Sequence, residues 1–480
     1  MSEVVIIGAG IAGLASALTL SRSGHHVTLV ERDATPLPAD PDGAFEWDRR
    51  GAPQVRHSHA FLARLRNLLR DRYPDVLEAL FAAGATEMDF ISMLPAGMDP
   101  TRRPGDEDLV ALACRRTTFE WVLRRIVLAE HGVELLDGHA VTALTSEPGS
   151  HPAQVTGVVL DDGQQLDADL VVAAGGRRLS IDPLLEPLGI TIEERTEDTG
   201  IVYFSRFFRL RPGAETPPQS GPIGGDLGYL KYAVFQGDNR TFSITLAIGT
   251  ADGQLRRLLL DPDQFLQVAA ALTATAPYVD GRSEPITDVF VMAKLLNRRR
   301  DFTSTDGEPL VTGFSAVGDA HTCTNPLYGR GCSLAFVQAE LLAESMGRWP
   351  GDPTERARNY EAASRREVLP WYKAAVAQDA ATRAVAQPPP PGPAAPGTAA
   401  PEDPMRAIMR DGLLPAMRVD PVVLRAFLRM FNLLEAPDSL MKDWDVLARV
   451  MTVFQDRDER PPEPSLGPGR AALLGSLDSP

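Results

Sequence analysis

Cysteine is scarce in this chain: Cys114, Cys323 and Cys332 are the only three in 480 residues, with no CxxC pair and no metal-site spacing. That excludes a disulfide-stapled secreted scaffold or a zinc ribbon and suits a reducing cytoplasm. Long hydrophobic runs are also missing. No stretch approaches the roughly 20 consecutive apolar residues that span a bilayer. The amino terminus, "MSEVVIIGAG", lacks the basic-then-apolar order of a secretory signal. Positive charge is in deficit, with 48 Lys and Arg against 64 Asp and Glu, a formal −16. Nucleic acid and anionic lipid both need a basic face, so neither is expected as a partner. No G-x-S-x-G occurs, which removes the nucleophile elbow of a hydrolase, and no internal repeat is visible.

Apolar residues make up 44% of the chain, enough for a large core shared by two or three regions. The opening text "EVVIIGAGIAGLASALTLSRSGHHVTLVERD" reads strand, glycine turn, helix, strand. Val4 to Ile7 suits a strand buried on both faces, Ala12 to Leu20 a helix, and Val27 to Glu31 the returning strand of a βαβ unit. From Ala34 to Asp108 the text is loop-rich around a basic helical stretch, and "RRTTFEWVLRRIVLAEHG" predicts an amphipathic helix. Near residues 195 to 300 the pattern turns to alternation, as in "GIVYFSRFFRL" and "RTFSITLAIG", which predicts antiparallel strands. Later helices carry a break at Pro370. "QPPPPGPAAPGTAAPEDP" (387–404) suits an extended linker, Met405 to Phe454 returns to helical periodicity, and a disordered tail is expected from Asp456.

Gly8, Gly10 and Gly13 form G-x-G-x-x-G directly after a strand and at the start of a helix. The first glycine permits the tight turn, the second lets the backbone approach a pyrophosphate, and the third lets helix and strand pack closely. Free N–H groups at the helix start favour the anion. Glu31, closing the second strand, is placed to accept from an adenosine ribose. The pattern indicates a dinucleotide without choosing one.

A second stretch, "SAVGDAHTCTNPLYGRGCSLAFVQAELLAE" (315–344), makes that choice. A flavin has a ribityl chain whose hydroxyls need an acceptor deep in the protein, and Asp319 ends a strand where one is required. Gly329 and Gly331 let the chain pass a flat ring, and a helix starting near Ser333 aims its positive end at the ring edge that gains charge on reduction. The alternative is an ordinary strand-to-helix turn capped by Asp319. His57 and His59, two residues apart, share no helix face and suit cofactor-adjacent packing or a solvated loop.

On these motifs the chain resembles the class A flavoprotein monooxygenases, the para-hydroxybenzoate hydroxylase superfamily. "NPLYGRG" is similar to the form found in bacterial polyether-type flavin epoxidases and related FAD-dependent oxidoreductases. The resemblance spans roughly residues 3 to 380. It implies that Gly8, Gly10, Gly13 and Glu31 hold the adenosine diphosphate half of FAD and that Arg116 lies near the phosphates. Gly318 and Asp319 match the ribityl-binding pair, and Pro326, Gly329 and Gly331 the turn beside the ring. Where many relatives carry an Asp-Gly pair after the middle strand, this chain has "DLVVAAGGRRL", with Ala173 and Gly175 at the expected place. That departure bears on how NADH or NADPH, or a separate reductase, delivers electrons.

The expected architecture is α/β. A Rossmann-like FAD-binding domain (1–194 and 301–386) carries an inserted antiparallel β substrate domain (195–300). The linker 387–404, a helical C-terminal region (405–455) and the tail 456–480 follow. Tyr203, Phe207, Tyr229 and Tyr328 are candidates for the substrate pocket. The expected activity is hydroxylation or epoxidation of a lipophilic, secondary-metabolite-like substrate with molecular oxygen through a flavin C4a-(hydro)peroxide. An FAD-dependent reductase of the geranylgeranyl reductase type and a flavin-binding protein without turnover remain alternatives.

Overall fold

The run Glu3–Ile7 is the middle strand of a five-stranded parallel sheet. The strand order is Phe314–Ala316, Leu170–Ala173, Glu3–Ile7, His26–Glu31 and Val133–Asp137. The register pairs Val4 with Val27 on one side and with Leu170 on the other. Alternation decides the layers. Val4 and Ile6 pack with helices Ile11–Arg22, Arg116–Ala129 and Gly331–Arg348, through Leu14, Leu18, Phe119 and Phe336. Val5 and Ile7 face the opposite way, onto Val155 and Val158 of a four-stranded sheet. Each fully buried aliphatic side chain here stabilises by roughly 1.5–3 kcal/mol. This computed structural model describes residues 1–95, 97–217, 223–386, 404–460 and 465–477.

The alternating text folds into a separate antiparallel sheet in the order Gly224–Asp226, Leu230–Gln236, Thr241–Gly249, Ile201–Leu210 and Ser283–Pro285, with Phe290–Met292 also on Ile201–Leu210. Strands Glu193–Asp198 and Leu296–Asp301 pair antiparallel where the chain enters and leaves this sheet. One face carries Phe204, Phe208, Ile244 and Leu246, packed with Phe265 and Val268 of helix Pro262–Ala271. The other face carries Ser205, Ala233, Thr245 and Ala247, whose small side chains leave room above them.

Two sequence expectations differ from the structure. The tail is not disordered throughout: Arg470–Leu477 is a helix that buries Leu473 and Leu477 against the antiparallel sheet's core, with Arg470 paired to Asp252 at 2.9 Å. Pro370 does not break its helix, which runs from Pro353 to Ala386. Proline removes one backbone hydrogen bond, but buried Val368, Trp371 and Ala375 hold both sides of the step in place. Within 34–108 the basic stretch is helical as its text predicts, forming Ala63–Arg72 and Pro74–Ala82, and strand Thr86–Asp89 follows it. The linker expected over 387–404 lies, but for its last residue, outside the described residues.

The carboxyl-terminal helices pack back on the body built around the parallel sheet. Arg425 of helix Pro421–Phe431 pairs with buried Asp106 at 3.1 Å, and Leu433 joins Leu62, Leu334, Val368 and Trp371 in a small core. Among the described residues, no helix is long and apolar enough to cross a membrane.

Candidate functional site

The parallel sheet ends in a glycine turn whose conformation only glycine accommodates. Gly8 has φ +102°, and a Cβ there would lie 2.9 Å from the Gly175 Cα. A Cβ at Gly13 would come within 1.8 Å of the Gly8 carbonyl oxygen, so helix Ile11–Arg22 sits against the turn itself. No side chain caps that helix, because Gly10 stands at its N-cap. Its first N–H groups therefore keep their partial positive charge for a ligand. Glu31 Oε2 accepts from the Ala9 amide at 3.0 Å, which ties the returning strand to the turn.

From this turn a cavity of about 280 Å³ runs toward the second glycine-rich stretch. Gly8, Gly10 and Glu31 line it together with Arg116, Gly318, Asp319 and Pro326, and with Gly329 and Gly331. Gly13 alone of the predicted cofactor residues stands off, where it serves helix packing. Gly318 has φ +64°, and a Cβ there would meet the Ala12 Cβ at 2.7 Å, so this turn packs directly against the first helix. Gly329 has φ +65°, and a Cβ there would meet the Ala60 Cβ at 2.9 Å. Asp319 sits in a short turn ahead of helix Gly331–Arg348, which has no side-chain cap. The reading of Asp319 as a helix cap therefore does not apply. Burial pushes its carboxyl up, against the pull of Arg177, Arg116 and Arg298.

Sequence reasoning named Arg116 but gave no cofactor role to the five other arginines on this cavity: Arg32, Arg49, Arg177, Arg178 and Arg330. Arg49 comes from a loop and is held by Glu120 at 2.9 Å and Glu31 at 3.3 Å, and Arg116 by the other oxygen of Glu120 at 2.9 Å. Arg330, 4% exposed, lies between the rings of Tyr328 and Trp371 at 4.6 and 4.8 Å, and burial pushes its guanidinium down to about 10. Arg49 Nη1, Arg116 Nε and the Nε and Nη1 of Arg330 are buried donors without a hydrogen-bond partner among the described residues. A basic cavity with unsatisfied donors, in a chain of formal charge −16, fits an anionic dinucleotide. Arg330 stands within "NPLYGRG" and Arg177 within "DLVVAAGGRRL", whereas Arg49 is brought in by tertiary contacts alone.

Cys323 and Cys332 also line the cavity, and burial pushes both thiols up, which keeps them neutral. His321 points to Glu361 at 3.2 Å and does not line the cavity. The strand Leu170–Ala173 leads into Ala174, Gly175 and Gly176, so no carboxylate stands where the Asp-Gly pair was sought.

A second cavity of about 200 Å³ adjoins the first, sharing Ser58, Met292 and Pro326 with it. Tyr203, Phe235, Leu327 and Met292 give it apolar walls, and one side is polar. There Ser205 and Thr245 hydroxyls lie 2.8 Å apart, Thr245 donates to Ser58 at 2.6 Å, and His57 Nδ1 is 3.4 Å from Ser205. Burial, and then Arg177, lower the His57 pKa to about 4, so the ring is neutral at pH 7. His59 lines the larger cavity, with its pKa lowered by burial and by Arg116 to about 3. Of the substrate candidates, Tyr203 reaches this cavity. Phe207 meets Phe45 edge-on at 5.2 Å, Tyr229 donates to the Pro468 carbonyl at 2.8 Å, and Tyr328 donates to Asp379 at 3.0 Å.

Residues 3–44 match the family model described as FAD dependent oxidoreductase. No curated protein matches the chain in sequence. Among solved structures it is similar to PqsL, a probable FAD-dependent monooxygenase from Pseudomonas aeruginosa, with 17% identity and a TM-score of 0.57 over 80% of this chain and 97% of that one. It is similar to the flavin-dependent brominase Bmp2, at 15% identity and a TM-score of 0.58 over 95% and 99% of the two chains. OxyS, an anhydrotetracycline hydroxylase from Streptomyces rimosus, matches at 21% and 0.56 over 91% and 76%. The amino-terminal segment thus matches the FAD dependent oxidoreductase model, and the fold is the one these solved structures share.

Proposed function

We propose that the protein is an FAD-dependent monooxygenase that hydroxylates or epoxidises a small organic substrate held in the second cavity. The observation that carries this reading is the contact between the two cavities across Met292, Pro326 and Ser58. The ring end of a dinucleotide in the larger cavity would there meet a substrate in the smaller one. Bound FAD would supply the activation of oxygen and the transfer of one oxygen atom.

The chain's own residues bind, orient and exclude water. The Gly8–Gly13 turn and the helix start take the diphosphate with Arg116 and Arg49. Glu31 uses its remaining acceptor capacity for the ribose, and Asp319 accepts from the ribityl chain. Gly329 and Gly331 let the backbone pass close to the ring, and Arg330 supplies positive charge beside it. Tyr203, Phe235 and Leu327 keep water from the reacting end of the substrate, while Ser58, Ser205 and Thr245 offer it hydrogen bonds. The substrate is therefore read as lipophilic with an oxygen-bearing edge. NADH, NADPH or a separate reductase is the proposed electron source, and the missing Asp-Gly pair favours reduction that waits for substrate or partner.

Oxygen uptake by the FAD-loaded protein with NADH or NADPH tests this, with candidate substrates added in turn. Substrate-dependent uptake with an oxygenated product supports it. Reduced flavin that passes its hydride to substrate and is reoxidised without oxygen uptake overturns it in favour of a reductase, and bound flavin that no substrate turns over points to a binding protein.

A further inference from the structure

The segment Asn325–Gly331 forms the wall between the two cavities: Arg330 and Gly331 line the larger, Leu327 the smaller, and Pro326 both. Its side-chain anchorage converges on one carboxylate, Asp379, in helix Pro353–Ala386. Asp379 is 2% exposed. Its Oδ1 accepts from Asn325 Nδ2 at 2.7 Å and from the Tyr328 hydroxyl at 3.0 Å, and its Oδ2 accepts from Asn297 Nδ2 at 2.7 Å. The donors are two amides and a phenol. Burial pushes the Asp379 carboxyl up, and these three hydrogen bonds oppose the rise.

The amide orientations in this network follow from backbone donors. Leu327 N–H donates to Asn325 Oδ1 at 3.0 Å, and the Tyr203 hydroxyl donates to the same oxygen at 2.5 Å. The Asn325 N–H donates to Asn297 Oδ1 at 2.8 Å. Both amide oxygens are thereby taken, so both NH₂ groups must turn to residue 379. Only a group that accepts at both ends satisfies them. An asparagine at 379 would set its own NH₂ against one of the two amide donors, and both Asn297 and Asn325 are fully buried with no water-facing alternative.

We propose that Asp379 is the positioning residue of this wall. Through Asn325, Tyr328 and Asn297 it sets where the turn stands against the cofactor, and it links Tyr203 in the smaller cavity to that turn. The proposal rests on the FAD reading only for its consequences at the flavin, since the network itself is a property of the chain.

Asp379→Asn and Tyr203→Phe test it on the full-length protein. With FAD bound, Asp379→Asn is expected to weaken FAD affinity by roughly tenfold or more, shift the visible flavin bands and change the flavin midpoint potential. Tyr203→Phe, which removes one donor to Asn325, is expected to shift the same bands in the same direction by less, with FAD affinity within about threefold of wild type. Unchanged bands and potential in both variants overturn the proposal, and if Asp379→Asn does not fold, unchanged bands in Tyr203→Phe do so alone. Amide hydrogen exchange without FAD separates the two claims. Faster exchange at Leu327 and Gly329 in the variants supports the positioning even if wild-type protein takes up no FAD, an outcome that would remove the functional reading only. Unaltered exchange there overturns the positioning.

Discussion

A Cβ on residue 13 would stand 1.8 Å from the carbonyl oxygen of Gly8, whereas one on residue 10 would meet nothing within 4 Å. The two glycines therefore do different work, and alanine distinguishes them. Gly13→Ala must push helix Ile11–Arg22 off the turn and is expected to cost roughly 1–3 kcal/mol, as other overpacking does. Gly10→Ala is expected to leave the unfolding free energy of the FAD-free protein within about 0.5 kcal/mol while weakening FAD binding, because its methyl group would occupy the diphosphate's approach. Chemical denaturation of both variants, followed by FAD titration, checks the contrast.

Arg115 and Asp238 form an almost fully buried pair at 2.6 Å, and Asp238 also accepts from Thr118, so the antiparallel sheet's loop holds the start of the helix that carries Arg116. Burial works against the charged carboxylate, but the Arg115 hydrogen bonds and charge outweigh it and hold Asp238 below the usual range. Asp238→Ala leaves the buried Arg115 guanidinium with only the longer contact to Asp42, at 3.4 Å, and is expected to cost about 3–5 kcal/mol by urea unfolding. Arg115→Met with Asp238→Leu should recover much of that loss.

His57 predicts a pH dependence. Its pKa falls from the ordinary 6.5 to about 4, through burial first and then Arg177, so between those values the unfolded chain binds a proton that the folded chain does not. Stability should therefore rise with pH across that window, by roughly 3 kcal/mol in total from this group. The His57→Asn variant should show a flatter slope of unfolding free energy between pH 4 and 6.5.

Asn432, fully buried, caps a helix that its own sequence leaves uncapped: Oδ1 accepts from Ala63 N at 3.0 Å and the backbone oxygen from Arg64 N at 3.2 Å. Leu62 at the N-cap offers no side-chain acceptor. Asn432→Ala is expected to lose about 1–2 kcal/mol, and Asn432→Asp less, in thermal or urea unfolding.

What was legible in the sequence was local. G-x-G-x-x-G and the Gly318–Asp319 turn are short spacings whose backbone demands do not depend on distant residues, and both motifs reach the same cavity. The alternation rule assigned faces but not positions along them. Phe207 shares the face of Tyr203, yet lies far enough along its strand to meet Phe45 instead of the cavity. Tyr229 precedes the strand that starts at Leu230, so the two-residue period did not govern it. Arg49 sat in loop text, and only the fold brings Glu31 and Glu120 around it. The helix Arg470–Leu477 was hidden for the same reason, because so short a segment is stable only where Leu473 and Leu477 find a core.

The central claim is that the cavity between the two glycine turns holds FAD, and the visible absorption spectrum tests it most directly. Purified protein is incubated with FAD, freed of excess by gel filtration and scanned. The account predicts the two flavin bands co-eluting with the protein at about one flavin per chain, and their loss in Asp319→Ala. A colourless protein after the same treatment, with Asp319→Ala indistinguishable from wild type, would contradict it.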